Sequence, residues 1–123
     1  MEGAYQIATG SLRSLSEQQI VDCFAPKNGT GTGCQGGEMR KAFQYVIDNK
    51  GIDSEKDYDY QGENGPCWLN ATKRVAATID GFKTIPVNDE AQLAAAVQIG
   101  PVSVAIDASH GGFQSYKSGI FDG

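Results

Sequence analysis

The chain has 123 residues, 40% apolar and 20% charged, with ten Lys and Arg against fifteen Asp and Glu for a net charge of -5. That is enough for one domain, or a piece of a larger one, burying roughly two thirds of its unfolded surface. The acidic balance, without any Lys or Arg cluster, argues against a nucleic-acid partner, because neutralising phosphates takes clustered positive charge. The longest apolar stretch, AQLAAAVQIGPVSVAI, is interrupted by Gln, Gly and Pro short of a membrane span, and no leader or anchor is recognised, so no membrane partner is expected.

In chain order, Met1, Ala4, Tyr5 and Ala8 recur at helical spacing and Gly10 follows as a C-cap, which predicts a helix. Met1 is itself on the apolar face with no N-cap before it, so the helix is expected to begin ahead of it. Ser16 and Gln19 form a capping-box pattern before Ile20, Val21 and Cys23, predicting a short second helix. The glycine-rich FAPKNGTGTGCQGG, 24–37, reads as a loop. Met39, Ala42, Phe43, Val46 and Ile47 then define a firmer helix, stopped by Gly51. Residues 52–72 lack a period of 2 or 3.6 and read as irregular but anchored by Tyr58, Tyr60 and Trp68. An extended segment is expected over Val75 to Pro86, and an Ala-rich helix capped by Asn88 runs through Val97. Pro101 to Asp107, PVSVAID, is the clearest predicted strand, with burial on both faces or near an interface. Helices in the first two thirds and strands in the last third predict an α+β protein.

Three cysteines leave one without a partner inside the chain. Asn28 and Asn70 head Asn-X-Thr triplets that could carry glycans in a secretory compartment, although such triplets are common by chance. A Cys3His zinc site from Cys23, Cys34, Cys67 and His110 is disfavoured, since its nearest pair lies too far apart for the usual C-x2-4-C spacing. A cysteine nucleophile with His110 as base is also disfavoured, because the Gly-flanked SHGG around His110 reads as an exposed loop. Glu55, Asp57 and Asp59 read as a solvated acidic face. The glycines at 29–37 lack the Lys of a phosphate cradle and precede Glu38, which would repel phosphate. No metal and no cofactor is expected.

Several blocks then stand in one order along the chain: Ser16 to Cys23, SEQQIVDC; Cys34-Gln35-Gly36-Gly37 with Met39, Ala42, Phe43 and Val46; Gly51-Ile52; Tyr58-Asp59-Tyr60 with Cys67; Gly100 to Ile106, GPVSVAI; and Tyr116 to Phe121, YKSGIF. Together they resemble the papain-like cysteine peptidases, cathepsin L type. The resemblance implies a papain-like fold present in part: a helical left domain over 1–83 and the first strands of a β-barrel right domain over 84–123. In that family the nucleophile lies in C-G-[SA]-C-[WY], expected about nine residues before Met1, and the base His beyond Gly123. The oxyanion-hole Gln and orienting Asn are expected outside the chain as well, so none of its residues is assigned a catalytic role and the 123 residues alone are expected to be inactive.

The resemblance also pairs Cys23 with Cys67, a loop of about 45 residues worth about 3 to 4 kcal/mol by chain entropy. Cys34 is left unpaired here, its partner expected just ahead of the nucleophile. Gly36 and Gly37 are implied as a cleft wall along which an extended peptide lies, and Met39 and Ala105 as lining the apolar pocket for the residue two before the scissile bond. Glu38, where the family carries an apolar or aromatic residue, predicts a basic preference in the next subsite outwards. Asp59 replaces a Pro common between the two tyrosines. The implied partners are a peptide or protein substrate, cystatin-like inhibitors and the protein's own propeptide, and the implied location is lysosomal or extracellular. The competing reading from another class is a non-catalytic homologue acting as a secreted binding protein.

Overall fold

The computed structural model describes residues 1–24, 33–68, 75–109 and 111–121. The first helix, α1 (Glu2–Thr9), ends as its sequence predicts, with Gly10 left-handed at φ 77° and its N–H returned to the Gln6 carbonyl. Gly3 and Gly100 let this helix lie close to the last third: a Cβ at Gly3 would come 2.6 Å from Pro101 Cγ, and one at Gly100 would come 3.1 Å from Ile7 Cδ1.

The second helix is shorter and less regular than its capping-box pattern predicts. It is α2 (Glu17–Gln19), continued by a wider π-helical turn over Ile20–Phe24. Ser16 Oγ accepts from the Gln19 N–H at 2.9 Å, as an N-cap should. The reciprocal half of the box is absent because Gln19 is recruited elsewhere: its Oε1 accepts from the Asp53 N–H at 2.7 Å, and its Nε2 donates to Tyr45 Oη at 3.2 Å. The Ser16 N–H instead donates to the Asp53 carbonyl at 3.0 Å. Gln19 thus ties α2 to two other elements, where a local cap would tie it only to itself.

A 3-10 turn over Gly33–Gln35 leads to α3 (Met39–Asp48), whose buried Val46 enters the core. Its end differs from the expected stop at Gly51. Lys50 takes the left-handed position at φ 61°, with its N–H to the Ile47 carbonyl and the Gly51 N–H to the Val46 carbonyl, a Schellman closure. Gly51 is required for another reason: at φ 137° a Cβ would lie 2.3 Å from Val75 Cγ1 and 2.9 Å from the Ala77 carbonyl oxygen.

That close approach builds the sheet. β1 (Ile52–Asp53) pairs antiparallel with β2 (Val75–Ala77), Ile52 opposite Ala77, and Leu15 bridges Ser54 on the other side. Leu15, Val46, Ile52 and Ala77 form the buried cluster, with Met1, Tyr5, Ile20, Tyr45, Ala76 and Ile79 packed around it. Of the extended segment expected over 75–86, only the first three residues are paired.

The last third departs furthest from the sequence reading. α4 (Glu90–Ile99) is capped by Asp89, whose side chain accepts from the Gln92 N–H at 2.9 Å; Asn88 precedes it in the left-handed region at φ 61°. Residues 101–107 form no strand, and Val104 and Ile106 are 58% and 61% exposed instead of buried. The physical reason is that a strand exists only with a partner for its N–H and C=O groups, and no described segment supplies one here. α5 (Gly111–Gln114) completes the described elements, so the short sheet sits mid-chain, with helices before and after it.

Candidate functional site

Gly33 and the run Gly36 to Met39 border an open hollow of about 280 Å³. Ile20, Val21, Phe24, Met39 and Ala42 line it together with Gly33, Gly36, Gly37 and Glu38. The Gly36 N–H closes the 3-10 turn onto the Gly33 carbonyl at 3.1 Å, and the Cys34 N–H donates to Asn64 Oδ1 at 2.8 Å. Gly36 sits at φ 114°, a conformation open to glycine and costly for other residues, and a Cβ there would meet no atom within 4 Å. At Gly37 the constraint is space, since a Cβ would press on Phe24 Cε1 at 3.1 Å. Two adjacent glycines thus leave a length of bare backbone beside an apolar hollow, a surface suited to an extended peptide.

Glu38 has a structural task at this edge. Its Oε1 accepts from the Arg40 N–H at 3.1 Å and from Arg40 Nε at 2.8 Å, capping α3 and forming an ion pair. The Arg40 hydrogen bond holds the Glu38 carboxyl below the usual carboxylate range. Arg40 therefore offsets much of the negative charge that Glu38 would offer a bound basic side chain. Met39, 38% exposed and flexible, is among the residues lining the hollow. Ala105 is exposed on the unpaired 101–107 segment and is not among the residues lining this hollow.

Cys23 and Cys67 are joined in a disulfide with a Cα–Cα distance of 4.8 Å, so neither is available as a metal ligand or nucleophile. Cys34 carries a free, exposed thiol. His110, Asn28 and Asn70 lie outside the described residues.

Sequence reasoning passed over a buried polar group next to Cys23. Asp22, 3% exposed, accepts from Gln18 Nε2 at 2.8 Å and the Gly65 N–H at 2.9 Å on Oδ1, and from the Tyr58 hydroxyl at 2.8 Å on Oδ2. Gln18 also donates to the Glu63 carbonyl and accepts from the Gln61 N–H. These bonds hold the irregular 58–68 segment against α2, where hydrophobic periodicity gives no signal. The wall residues Ile20 and Val21 were visible only as an apolar helix face; nothing in their spacing showed that they border a hollow.

Comparison with known proteins decides the lineage. The family model described as "Papain family cysteine protease" matches residues 1–123. The chain belongs to the papain family of cysteine proteases. It is 49% identical over all 123 residues to cysteine proteinase COT44 of Brassica napus, of which it spans 37%. It is 48% identical to Zingipain-1 of Zingiber officinale, spanning 53% of it, and 47% identical over 120 residues to cysteine proteinase 5 of Dictyostelium discoideum, spanning 33%. Among solved structures, the Carica candamarcensis cysteine protease CMS1MS2 in complex with E-64 superposes with a TM-score of 0.90 at 38% identity. That match covers 99% of this chain and 55% of the other. The papain-like fold, present in part, is therefore the architecture of this chain, which spans about a third to a half of the length of these relatives.

Proposed function

We propose that this chain is a segment of a cysteine endopeptidase and forms one wall of its substrate cleft. The observation that carries the proposal is the Gly36-Gly37 backbone beside the apolar hollow, in a chain of the papain family. A thiolate activated by an imidazole attacks the peptide carbonyl, the amine leaves, and water releases the acyl group from sulfur. The motif C-G-[SA]-C-[WY] does not occur in the 123 residues, and Cys23 and Cys67 are bridged, so the thiolate and imidazole are assigned to flanking sequence and the chain alone is inactive. Residues 1–83 belong to the helical domain and 84–123 to the start of the barrel domain. Met39 and Ala105 face the side chain two residues before the scissile bond once the barrel domain orders the 101–107 segment. Peptides or proteins are the substrates, cystatin-like inhibitors and a propeptide the further partners, and a lysosomal or extracellular compartment the location.

The test is hydrolysis of peptides differing only in that second residue, by the protein expressed from the reading frame that contains this chain. Faster cleavage with bulky apolar or aromatic residues, abolished by E-64, supports the proposal. Absence of hydrolysis, together with tight binding of the same peptides, supports the binding-protein reading instead. The basic preference attached to Glu38 is read as a selectivity ratio, because the variant also loses a helix cap. Glu38→Leu erases the preference if the carboxylate acts on substrate, and leaves the ratio unchanged if Arg40 already neutralises it.

A further inference from the structure

The Cys23–Cys67 bridge has an unequal setting. Cys23 is 1% exposed, whereas Cys67 is exposed, so a small thiol in solution can approach the bridge from the Cys67 side. Around it, one phenol touches the neighbours of both cysteines. The Tyr58 hydroxyl donates to Asp22 Oδ2 at 2.8 Å, next to Cys23. It accepts from the Trp68 N–H at 3.2 Å and lies 3.4 Å from the Pro66 carbonyl, on either side of Cys67. Cys23 Sγ itself is 3.9 Å from that hydroxyl. Tyr58 is 7% exposed and its bond to Asp22 is buried, where an unmade one is expensive, while those to Trp68 and Pro66 lie nearer the surface. The Gly65 N–H, bonded to Asp22 Oδ1, adds a second tie between the same two segments.

We propose that Tyr58 is a positioning residue for the disulfide: its hydroxyl holds 66–68 against 22–23 whether or not the sulfurs are joined. The bridge is then a latch on a contact already made. Closure by a small disulfide such as oxidised glutathione takes two exchanges. One protein thiolate attacks the reagent and expels a small thiol, and the other attacks the mixed disulfide and expels the second. Two protein thiols are oxidised and one reagent disulfide is reduced. Docking before the second exchange raises the effective concentration of one sulfur at the other, and by linkage the closed bridge holds the network in turn. At neutral pH the phenol is in its donating form, since burial first and then the Asp22 bond push its pKa up to about 12.

The experiment equilibrates the protein in graded mixtures of reduced and oxidised glutathione, quenches with acid, and maps alkylated Cys23 and Cys67 by peptide mass. Tyr58→Phe is expected to lower the equilibrium constant for the bridge by about tenfold, because it strands Asp22 Oδ2 and the Trp68 N–H. Val46→Ala, a buried core change outside this network, is expected to stay within about twofold of the parent. Equal constants for Tyr58→Phe and the parent overturn the proposal. So does a Val46→Ala shift as large as that of Tyr58→Phe, which would trace the effect to general stability. Should Tyr58→Phe fail to fold, amide exchange in Cys23→Ala/Cys67→Ser decides. Gly65 and Trp68 amides that remain protected without the bridge support pre-docking, and their loss to unprotected rates contradicts it.

Discussion

Gly51 shows how much one missing Cβ is worth in this protein. It lets the end of α3 lie against β2, and a methyl group there would overlap Val75 and the Ala77 carbonyl. Gly51→Ala is expected to cost about 2 kcal/mol or more, from strain and displaced packing, read as a lowered urea midpoint. One residue earlier the sign reverses: Lys50 occupies a left-handed position without steric benefit, so Lys50→Gly should stabilise by about 0.5 to 1 kcal/mol. Tyr58 gives a pH signature. Its folded pKa, about 12, lies above its ordinary 10.0, so its contribution is complete below pH 10 and is lost as pH rises towards 12. Melting curves should fall across that window, and less steeply in Tyr58→Phe. Glu17 behaves in the same direction at acid pH. Burial, then the facing Glu55 and Glu2, raise its pKa, so the stability it contributes is present below pH 4.5 and lost as pH rises above it. Glu17→Gln should therefore raise the melting temperature at pH 7.

The elements divide by whether their signals are local. α1 and α3 were legible because apolar spacing and a C-terminal closure lie within a few residues of each other, although α1 has no capping side chain at its start. The caps of α4 and α2 were half legible. Asn88 and Asp89 are both good capping residues, and only backbone geometry shows that Asp89 receives the Gln92 N–H while Asn88 turns left-handed. Asp89→Ala should cost about 1 kcal/mol and Asn88→Gly nearly nothing, a contrast that thermal unfolding of the two variants checks. At α2, Ser16→Ala should cost more than Asp89→Ala, because Ser16 Oγ both caps Gln19 and donates to the buried Tyr58 carbonyl at 2.6 Å. Gln19 was misread for the reason that PVSVAID was: the side chain and the strand both depend on partners distant in sequence, which periodicity does not see. The Gly36-Gly37 pair could be singled out from its motif, yet the Phe24 contact that makes Gly37 necessary could not.

At the scale of the molecule, the first two thirds hold the buried core and the last third is mostly surface. Val97, Ile99, Val104, Ile106 and Ile120 are all more than half exposed, as is Ile7 on α1. Apolar exposure on this scale drives association. The 123 residues expressed alone should bind an apolar dye and elute larger than a monomer, and Ile99→Lys with Ile106→Lys should reduce both signals. The chain belongs to the papain family and spans a third to a half of its relatives, and in the proposed reading flanking sequence covers that surface. The central claim is that this wall serves a thiol nucleophile supplied from outside the 123 residues. The most direct test is to read the native transcript across both ends of the segment. The account predicts a Cys within C-G-[SA]-C-[WY] about nine residues before Met1 and a His downstream of Gly123. Ser, Ala or Gly at that position, or a reading frame bounded by Met1 and Gly123, would contradict it.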